Sequence, residues 1–328
     1  VVAQPVEMRS KLEVALELQR GAFTGGMVRG EERSELRASH DRDSTDTVGA
    51  VAGRTRVRLP GGYRNEVWKV RSGNGWLIEK RYAEDPGEAN PMYPNLPDHE
   101  AAALAALGPL GLAPQLVDYQ PGAVTYRFVP GTMWRRGVVD VAALLQAIHS
   151  GASPRGLRQL CLSPTQARDH GDEMVAAVPA AKAAQLRAVR PTDVSASAVR
   201  RPSLVHTDCG PGNLVRSRGG LLLIDWQCPG LGDPVEDIAC FLSPAMMILY
   251  QQSPHTDRAV ERFLAAYGAS AAGRSTVARY RRDATAWHYR IGGYCVWRAQ
   301  RLARRLPDVA ERYRTALAAE IALLKELS

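Results

Sequence analysis

The sequence predicts an α+β protein in which a small, mostly antiparallel sheet precedes a larger helical part. Short alternating apolar runs separated by Gly-rich turns fill residues 55–131, and longer helical patterns dominate from about residue 134 onward. These two patterns divide the chain into an N-terminal extension (1–52), a sheet-containing domain (53–131) and a helical domain (132–328).

The predicted sheet begins at TRVRL and continues through EVWKVRSGNGWLIEKRY, where Asn74-Gly75 marks a tight turn between two strands. The stretch DHEAAALAALGPLGL is typical of a helix that Asp98 caps and that Gly108-Pro109 ends. The stretch PQLVDYQPGAVTYRFVPG then supplies two further strands. We therefore expect a small sheet with one helix.

The helical domain is expected to contain DVAALLQAIHS, one or two helices in SPTQARDHGDEMVAAVPAAKAAQLRAV, and about four long helices within 235–327. GDPVEDIA favours a capping box, with Asp233 as the cap and Glu236 as its partner at the third helical position. The extension contains one amphipathic pattern, SKLEVALELQRGAF, before a polar stretch that is typical of a linker.

The composition is that of a soluble globular protein, with 45% hydrophobic and 23% charged residues among 328. No run of about 18 apolar residues could span a membrane, and no secretion signal is recognisable. Five Cys, an odd number without C-x-x-C spacing, favour a reducing compartment over a disulfide framework or a zinc site, so we expect a cytoplasmic protein.

The net charge of +8 is compatible with nucleic acid or a phosphate-rich ligand, and equally with an Arg-rich helical surface. Because no nucleic-acid-binding motif accompanies the charge, we favour the surface interpretation. We expect neither a nucleic-acid partner nor a membrane partner.

The stretch LVHTDCGPGNLVRSRGGLLLIDWQCPGLGDPVEDIACF, residues 204–241, carries most of the chemistry. Asp225 follows LLLI, a predicted buried strand, although by itself it could equally cap a turn. NLV and LLLI flank RSRGG and predict a hairpin, which would bring Asn213 close to Asp225. A carboxylate and an amide oxygen are suited to Mg²⁺. Asp208, in the same loop, is placed to accept a proton from a hydroxyl nucleophile.

Three motifs of this stretch resemble those of the aminoglycoside phosphotransferase and choline kinase family of small-molecule kinases. HTDCGPGN resembles H-x-D-x-x-x-x-N, LIDW resembles I-D-aromatic, and GDPVEDIA resembles G-D-P-x-x-D-[IL]-A, in the family's order. The resemblance implies a two-lobed protein-kinase-like fold, with a small antiparallel-sheet N-lobe and a larger helical C-lobe. It also implies phosphate transfer from ATP, with Mg²⁺, to a hydroxyl of a small molecule. Asp208 would be the catalytic base, and Asn213 and Asp225 would be the metal ligands.

The same resemblance assigns nucleotide-binding residues in the N-lobe. LPGGYRNEVWKV looks like the family's Gly-rich turn, where backbone N–H groups of Gly61 and Gly62 would cover phosphates. WLIEKRY looks like the third strand and makes Lys80 the phosphate-contacting base, and Glu100 matches the acid that pairs with it. Alternatively, Lys80 is a solvated strand residue and Glu100 serves only the helix dipole.

Further residues follow from the resemblance. VTYRFVPGT looks like the hinge between the lobes, where backbone groups of Arg127, Phe128 and Val129 would meet adenine. His206 is expected to support the catalytic loop through hydrogen bonds and not to act in catalysis. Asp237 would anchor that loop.

The expected acceptor is an amino alcohol or amino sugar, as is usual in the family. Trp287 and Tyr294 lie two helical turns apart, and with Trp226 they could form an aromatic wall over a cation. Alternatively, these aromatic side chains simply fill the core. Because the C-terminal region is rich in Arg, we expect a compact, singly charged amino alcohol such as choline in preference to a polycationic aminoglycoside.

Three other functions fit less well. A catalytically silent kinase-fold binding protein would not need Lys80, Asp208, Asn213 and Asp225 together. A protein kinase would carry an activation loop, but GDP follows Asp225 almost at once. A nucleic-acid-binding helical protein leaves the motif spacing unexplained. The sequence does not distinguish ATP from GTP, and it leaves the oligomeric state open.

Overall fold

The computed structural model describes residues 55–59, 65–73, 75–83, 90–151 and 153–328. The predicted extension (1–52) and its amphipathic helix lie outside the described residues, as do Gly61, Gly62 and Asn74.

A five-stranded antiparallel sheet forms the N-terminal part of the fold. In the spatial order β1-β2-β3-β5-β4, its strands are β1 Arg56–Leu59, β2 Glu66–Ser72, β3 Gly75–Arg81, β4 Leu116–Gln120 and β5 Ala123–Arg127. The pairing of Ser72 with Gly75 puts the β2–β3 turn where the sequence predicted it. Side chains alternate along β3, so Lys80 points inward and is 3% exposed, whereas Arg81 is exposed.

One helix, α1 (Pro97–Leu107), packs against β4 and β5. The predicted cap at Asp98 is wrong. The helix begins one residue earlier, at Pro97, and Leu96 before it makes no side-chain cap hydrogen bond. Proline fits the first helical position because the amide hydrogen it lacks would have had no helical partner there. The helix ends before a 3₁₀ turn, Gly108–Leu110, as the sequence predicted.

Eight further helices in the described residues form the larger C-terminal part: α2 Val138–Ser150, α3 Pro164–Ala176, α4 Ala180–Arg187, α5 Val235–Leu242, α6 Pro244–Leu249, α7 Asp257–Tyr267, α8 Ala271–Leu302 and α9 Pro307–Leu327. After residue 235 there are five helices, not the expected four long ones, and only α8 with 32 residues and α9 with 21 are long. Ser243-Pro244 causes the extra division, because Ser243 caps a new helix and proline occupies its first position. None of the helices described here is long and apolar enough to cross a membrane.

Short strands hold the loops of residues 204–241: β6 Thr132–Met133, β7 Ser203–Val205, β8 Leu214–Ser217, β9 Gly220–Leu223 and β10 Gly230–Gly232. β8 and β9 form the predicted antiparallel hairpin, while β7 pairs with β10 and β6 pairs with β8. These pairings fix both ends of the loops that carry the polar residues.

The main apolar core is continuous from the sheet to the helices. It joins Leu104 of α1 and Val124 of β5 to Leu145 of α2 and Phe241 of α5, each at most 1% exposed. Because such interiors are close-packed, the sheet and the helices hold the intervening loops in fixed positions.

Candidate active site

The loop HTDCGPGN, between β7 and β8, places Asp208 and Asn213 side by side. Asn213 Nδ2 donates to the backbone oxygen of Asp208 at 2.7 Å and to its Oδ2 at 3.0 Å. The backbone oxygen of Asn213 accepts from the N–H of Ile224 at 2.9 Å. The Asn213 amide therefore orients the Asp208 carboxylate, and the hairpin holds both residues against the loop that follows β9.

Asp237, in α5, holds the start of this loop. Its buried carboxylate accepts from the backbone N–H groups of His206 at 2.9 Å and Thr207 at 2.8 Å, and lies 3.0 Å from Nε2 of His149. Burial by itself raises the pKa of Asp237, but these contacts outweigh it and hold the pKa below its usual value. Thr207 has a φ of 72°, an uncommon value for a β-branched residue, so the carboxylate stabilises a strained backbone.

His206 links two polar loops as a neutral imidazole. Its Nε2 lies 3.0 Å from the backbone oxygen of Ile224, and its Nδ1 accepts from the backbone N–H of Asp208 at 3.2 Å. Burial is the main cause that lowers the pKa of His206. These are the contacts of a supporting residue.

Asp225 lies two residues after the β8–β9 hairpin and contacts the N-terminal sheet. Its backbone is left-handed, with a φ of 63°, and its side chain is 30% exposed. Its Oδ1 lies 2.6 Å from Nζ of Lys80. This ion pair joins the helical part of the chain to the sheet at the candidate site.

Lys80 bridges two acids. Its Nζ is 2.6 Å from Asp225 Oδ1 and 2.9 Å from Oε2 of Glu100, which is fully buried. Burial by itself lowers the pKa of Lys80, but the two carboxylates outweigh it and raise the pKa, so Lys80 stays a cation. The hydroxyl of Tyr82 also donates to Glu100. The alternative of a solvated Lys80 is therefore wrong, and the expected contact with Glu100 is present.

Asn213 and Asp225 supply donors that fit Mg²⁺. Because the amide nitrogen of Asn213 faces Asp208, its amide oxygen is the atom left for a cation, and the Asp225 carboxylate adds a second hard donor. In the part of the chain that the structure describes, no group of three His, Cys, Asp or Glu side chains is placed to bind a metal. Mg²⁺ suits such a sparse set, since it commonly retains waters and takes phosphate oxygens as ligands.

The end of β5 and the segment after it offer fewer N–H groups to adenine than the sequence suggested. The N–H of Arg127 donates to the backbone oxygen of Gln115, and that of Phe128 donates to the oxygen of Trp76, both at 2.9 Å. These two N–H groups are occupied within the N-terminal sheet region. Adenine contact through Val129 stays a prediction.

The structure does not gather Trp226, Trp287 and Tyr294 into one aromatic wall. Trp226 is 0% exposed and packs against His206, with ring centroids 4.5 Å apart, so it supports the loop from the core. Tyr294 belongs to a different apolar cluster from Trp287, and its hydroxyl accepts from Asn90 at 3.1 Å. Helical spacing put two of these rings on one face, but it could not show which neighbours cover them.

Trp287 lines a small cavity beside the candidate catalytic loop, together with Tyr93, Thr207, Glu236 and Arg290. Only the Asp233 half of the predicted capping box forms, because Asp233 Oδ1 accepts from the backbone N–H of Val235 at 3.0 Å. Glu236 Oε1 instead pairs with Arg290 Nη1 at 2.6 Å, and both side chains are buried. Oε2 of Glu236 is buried and has no hydrogen-bond partner among the described residues. This oxygen could accept a hydrogen bond from a group in the cavity.

Two residues of the site could not be predicted from the sequence. His149, in α2, contacts Asp237, and Tyr250, directly after α6, donates its hydroxyl toward both carboxylate oxygens of Asp208 at 3.1 Å. Neither belongs to a recognisable motif. Tyr250 lies 42 residues beyond Asp208, and no sequence pattern links the two.

Most of the chain matches the model of one enzyme family. The sequence profile of the phosphotransferase enzyme family, APH, matches residues 55–282, which is more than half of the chain. The chain belongs to the phosphotransferase enzyme family. The predicted small-molecule phosphotransferase is thereby confirmed. None of the curated proteins matches this phosphotransferase in sequence.

Solved structures confirm the predicted fold class. A choline kinase from Cryptosporidium parvum Iowa II is 12% identical, with a TM-score of 0.58 over 84% of this chain and 90% of that one. A Plasmodium vivax ethanolamine kinase is 12% identical, with a TM-score of 0.55 over 86% of each chain. A spectinomycin phosphotransferase in complex with ADP and spectinomycin is 13% identical, with a TM-score of 0.54 over 84% of this chain and 94% of that one. At these identities the likeness is one of fold, the two-lobed kinase-like fold with a sheet N-lobe and a helical C-lobe.

Proposed function

We propose that this phosphotransferase moves the γ-phosphate of ATP to a hydroxyl group of a small molecule and requires Mg²⁺. The observation that carries the proposal is the meeting of Lys80, Asp208, Asn213 and Asp225. Lys80 contacts Asp225, and Asn213 contacts Asp208. A hydrogen bond from the backbone N–H of Ile224, the neighbour of Asp225, to the backbone oxygen of Asn213 links the two pairs. The ADP in the spectinomycin phosphotransferase structure supports the choice of an adenine nucleotide.

Each of these residues has a role that its surroundings support. Asp208 accepts the proton of the acceptor hydroxyl and orients that hydroxyl, because its carboxylate is fixed by Asn213. Lys80 is a buried cation and positions phosphate oxygens, while Glu100 orients Lys80. Asn213 and Asp225 hold Mg²⁺, which neutralises phosphate charge when bound. The protein therefore contributes positioning and electrostatic stabilisation, the terms that dominate phosphoryl transfer.

The proposed protein has an N-lobe of residues 53–131 and a C-lobe of residues 132–328. Adenine lies against the hinge between them, where the backbone N–H of Val129 is the candidate hydrogen-bond donor. All five cysteines are free thiols, which supports a reducing compartment such as the cytoplasm.

The proposed acceptor carries one positively charged nitrogen beside its hydroxyl. The choline kinase and the ethanolamine kinase among the structural neighbours support this choice. The Arg-rich C-terminal region disfavours an acceptor with several positive charges. An amino alcohol such as choline or ethanolamine fits both observations better than a polycationic aminoglycoside does.

Choline and ethanolamine should be phosphorylated with a higher kcat/KM than kanamycin, measured as ADP formation with Mg-ATP. The matched control is 3,3-dimethyl-1-butanol, the uncharged isostere of choline. We expect it to be about 5-fold poorer than choline, because it lacks the positive charge, and one favourable contact to that charge is worth about 1 kcal/mol. Strong kanamycin phosphorylation with none on the amino alcohols would overturn the acceptor class and leave phosphate transfer standing.

Lys80→Ala should raise the KM for ATP and depress turnover, since it removes the cation that positions phosphates. Glu100→Ala should act in the same direction but more weakly, because Lys80 keeps its 2.6 Å contact with Asp225. The matched control is Glu79→Ala, next to Lys80 on β3, because the partly exposed pair of Glu79 with Arg56 spans 3.5 Å and contributes little. A Glu100→Ala enzyme with wild-type kinetics at every ATP concentration would show that Glu100 does not act through Lys80.

A further inference from the structure

Tyr250 touches both polar residues of the candidate catalytic loop. Its hydroxyl oxygen lies 3.1 Å from each carboxylate oxygen of Asp208, and it lies 3.3 Å from Nδ2 of Asn213. The hydroxyl therefore donates to Asp208 and accepts from Asn213, which uses its hydrogen and a lone pair at once. A phenylalanine would fill the same space and make neither contact.

The loop sequence leaves room for this tyrosine. A Cβ atom added to Gly210 would come within 2.3 Å of the Tyr250 ring, and one added to Gly212 would come within 2.2 Å. Real Cβ atoms do not approach ring atoms so closely, so any larger residue would push the ring or the loop away. The two glycines of CGPGN and the ring of Tyr250 thus form one close-packed unit around Asp208.

The chain that carries Tyr250 is itself held firmly. Ser243 caps α6, and Glu320 of α9 accepts from the Ser243 hydroxyl at 2.7 Å and from the backbone N–H of Ala245 at 3.1 Å. Gln251, directly after Tyr250, adopts a left-handed φ of 55°, which ends the helix at that point. Both ends of α6 are therefore fixed, and the tyrosine is delivered to the loop by a rigid element.

We propose that Tyr250 is a positioning residue for phosphate transfer. Its hydroxyl holds the Asp208 carboxylate and the Asn213 amide in the orientation that receives the acceptor hydroxyl. This inference rests on the proposed role of Asp208. It assigns the effect to one hydroxyl group and not to the ring, whose packing a phenylalanine would keep.

The test compares Tyr250→Phe with the wild type by steady-state kinetics with Mg-ATP and choline, ethanolamine or kanamycin. If none of these compounds is phosphorylated, the rate that is compared is the hydrolysis of ATP by water, less the rate that remains in Asp208→Asn. We expect kcat to fall about 10-fold, as for loss of a hydrogen bond to a charged group, with KM values for ATP and acceptor changed less than about 3-fold. In the Asp208→Asn background, Tyr250→Phe should lower the rate no further, because both changes act through one carboxylate.

Tyr289→Phe is the matched control. The Tyr289 hydroxyl also donates to a carboxylate, Asp172 Oδ1 at 2.8 Å, but this pair joins α8 to α3 away from the loop. Tyr289→Phe should leave kcat unchanged. Thermal unfolding of Tyr250→Phe and Tyr289→Phe measures any loss of stability.

Three results would overturn the inference: an unchanged kcat in Tyr250→Phe, an increased kcat, or an equal loss with and without the Asp208 carboxylate. An increased kcat would show that the phenol competes with the acceptor. If Asp208→Asn itself has wild-type turnover, or if no Asp208-dependent rate exists, the proposed function fails and the inference fails with it. If Tyr250→Phe has the wild-type kcat while Asp208→Asn is inactive, the inference about Tyr250 is refuted and the proposed function stands.

Discussion

Asp208→Asn should lower turnover by roughly 10²- to 10⁴-fold, which is the usual contribution of general-base assistance. The amide keeps the shape of the carboxylate but cannot take the proton of an acceptor hydroxyl. Binding of Mg-ATP should change little, because Lys80, Asn213 and Asp225 stay in place. Steady-state kinetics with the best acceptor, together with calorimetric titration of Mg-ATP, separates the two effects.

A surface variant is the control for Asp208→Asn. Asp118, on β4, is exposed, and Asp118→Asn makes the same chemical change far from the loop. It should have wild-type turnover. If Asp208→Asn turns over within about 3-fold of this control, Asp208 is not the general base.

Asp225→Asn should abolish Mg²⁺-dependent binding of ATP and the turnover that depends on it. The carboxylate supplies one of the two proposed metal ligands and the negative charge of that pair, and replacing it with an amide removes this charge. Asn is the informative replacement here because the residue has a φ of 63°, a conformation that Asn tolerates better than most residues. Titration of ATP with and without Mg²⁺ measures the effect.

Asp225→Ala separates metal binding from backbone strain. Ala at this φ costs about 1 kcal/mol of stability or more, so its thermal unfolding must be compared with that of Asp225→Asn. Both variants should lose the same Mg²⁺-dependent step although their stabilities differ. Unchanged Mg-ATP affinity in the Asn variant would exclude Asp225 as a ligand.

The sequence predicted those parts of the site that depend on local order and spacing. The hairpin of β8 and β9 followed from two apolar runs around RSRGG, and it joins the Asn213 backbone to Ile224, the residue before Asp225. Lys80 was assigned by the resemblance of WLIEKRY, and the alternation of side chains along β3 turns it inward. Asp237 was assigned to the catalytic loop by resemblance, and its carboxylate does accept two backbone N–H groups of that loop.

The parts that could not be predicted depend on contacts between distant segments. Tyr250 reaches Asp208 only because α6 ends at that point and two loop glycines leave room, neither of which is a local pattern. Glu236 suited a capping box locally, but a buried Arg290 from α8 offered a stronger, charged partner. Trp226 was a candidate for an aromatic wall because it follows Asp225, yet it fills the core beneath the loop.

The most direct test of Asp208-dependent phosphate transfer is to identify both products of one reaction by mass. Wild-type enzyme, Mg-ATP and the panel of hydroxyl compounds are incubated beside the same mixture with Asp208→Asn. We predict that wild type forms ADP and one phosphorylated acceptor in equal amounts, and that Asp208→Asn forms neither above background. Two results would contradict Asp208-dependent phosphate transfer to an acceptor. One is equal amounts of phosphorylated acceptor from both enzymes, and the other is ADP with inorganic phosphate and no phosphorylated acceptor from either.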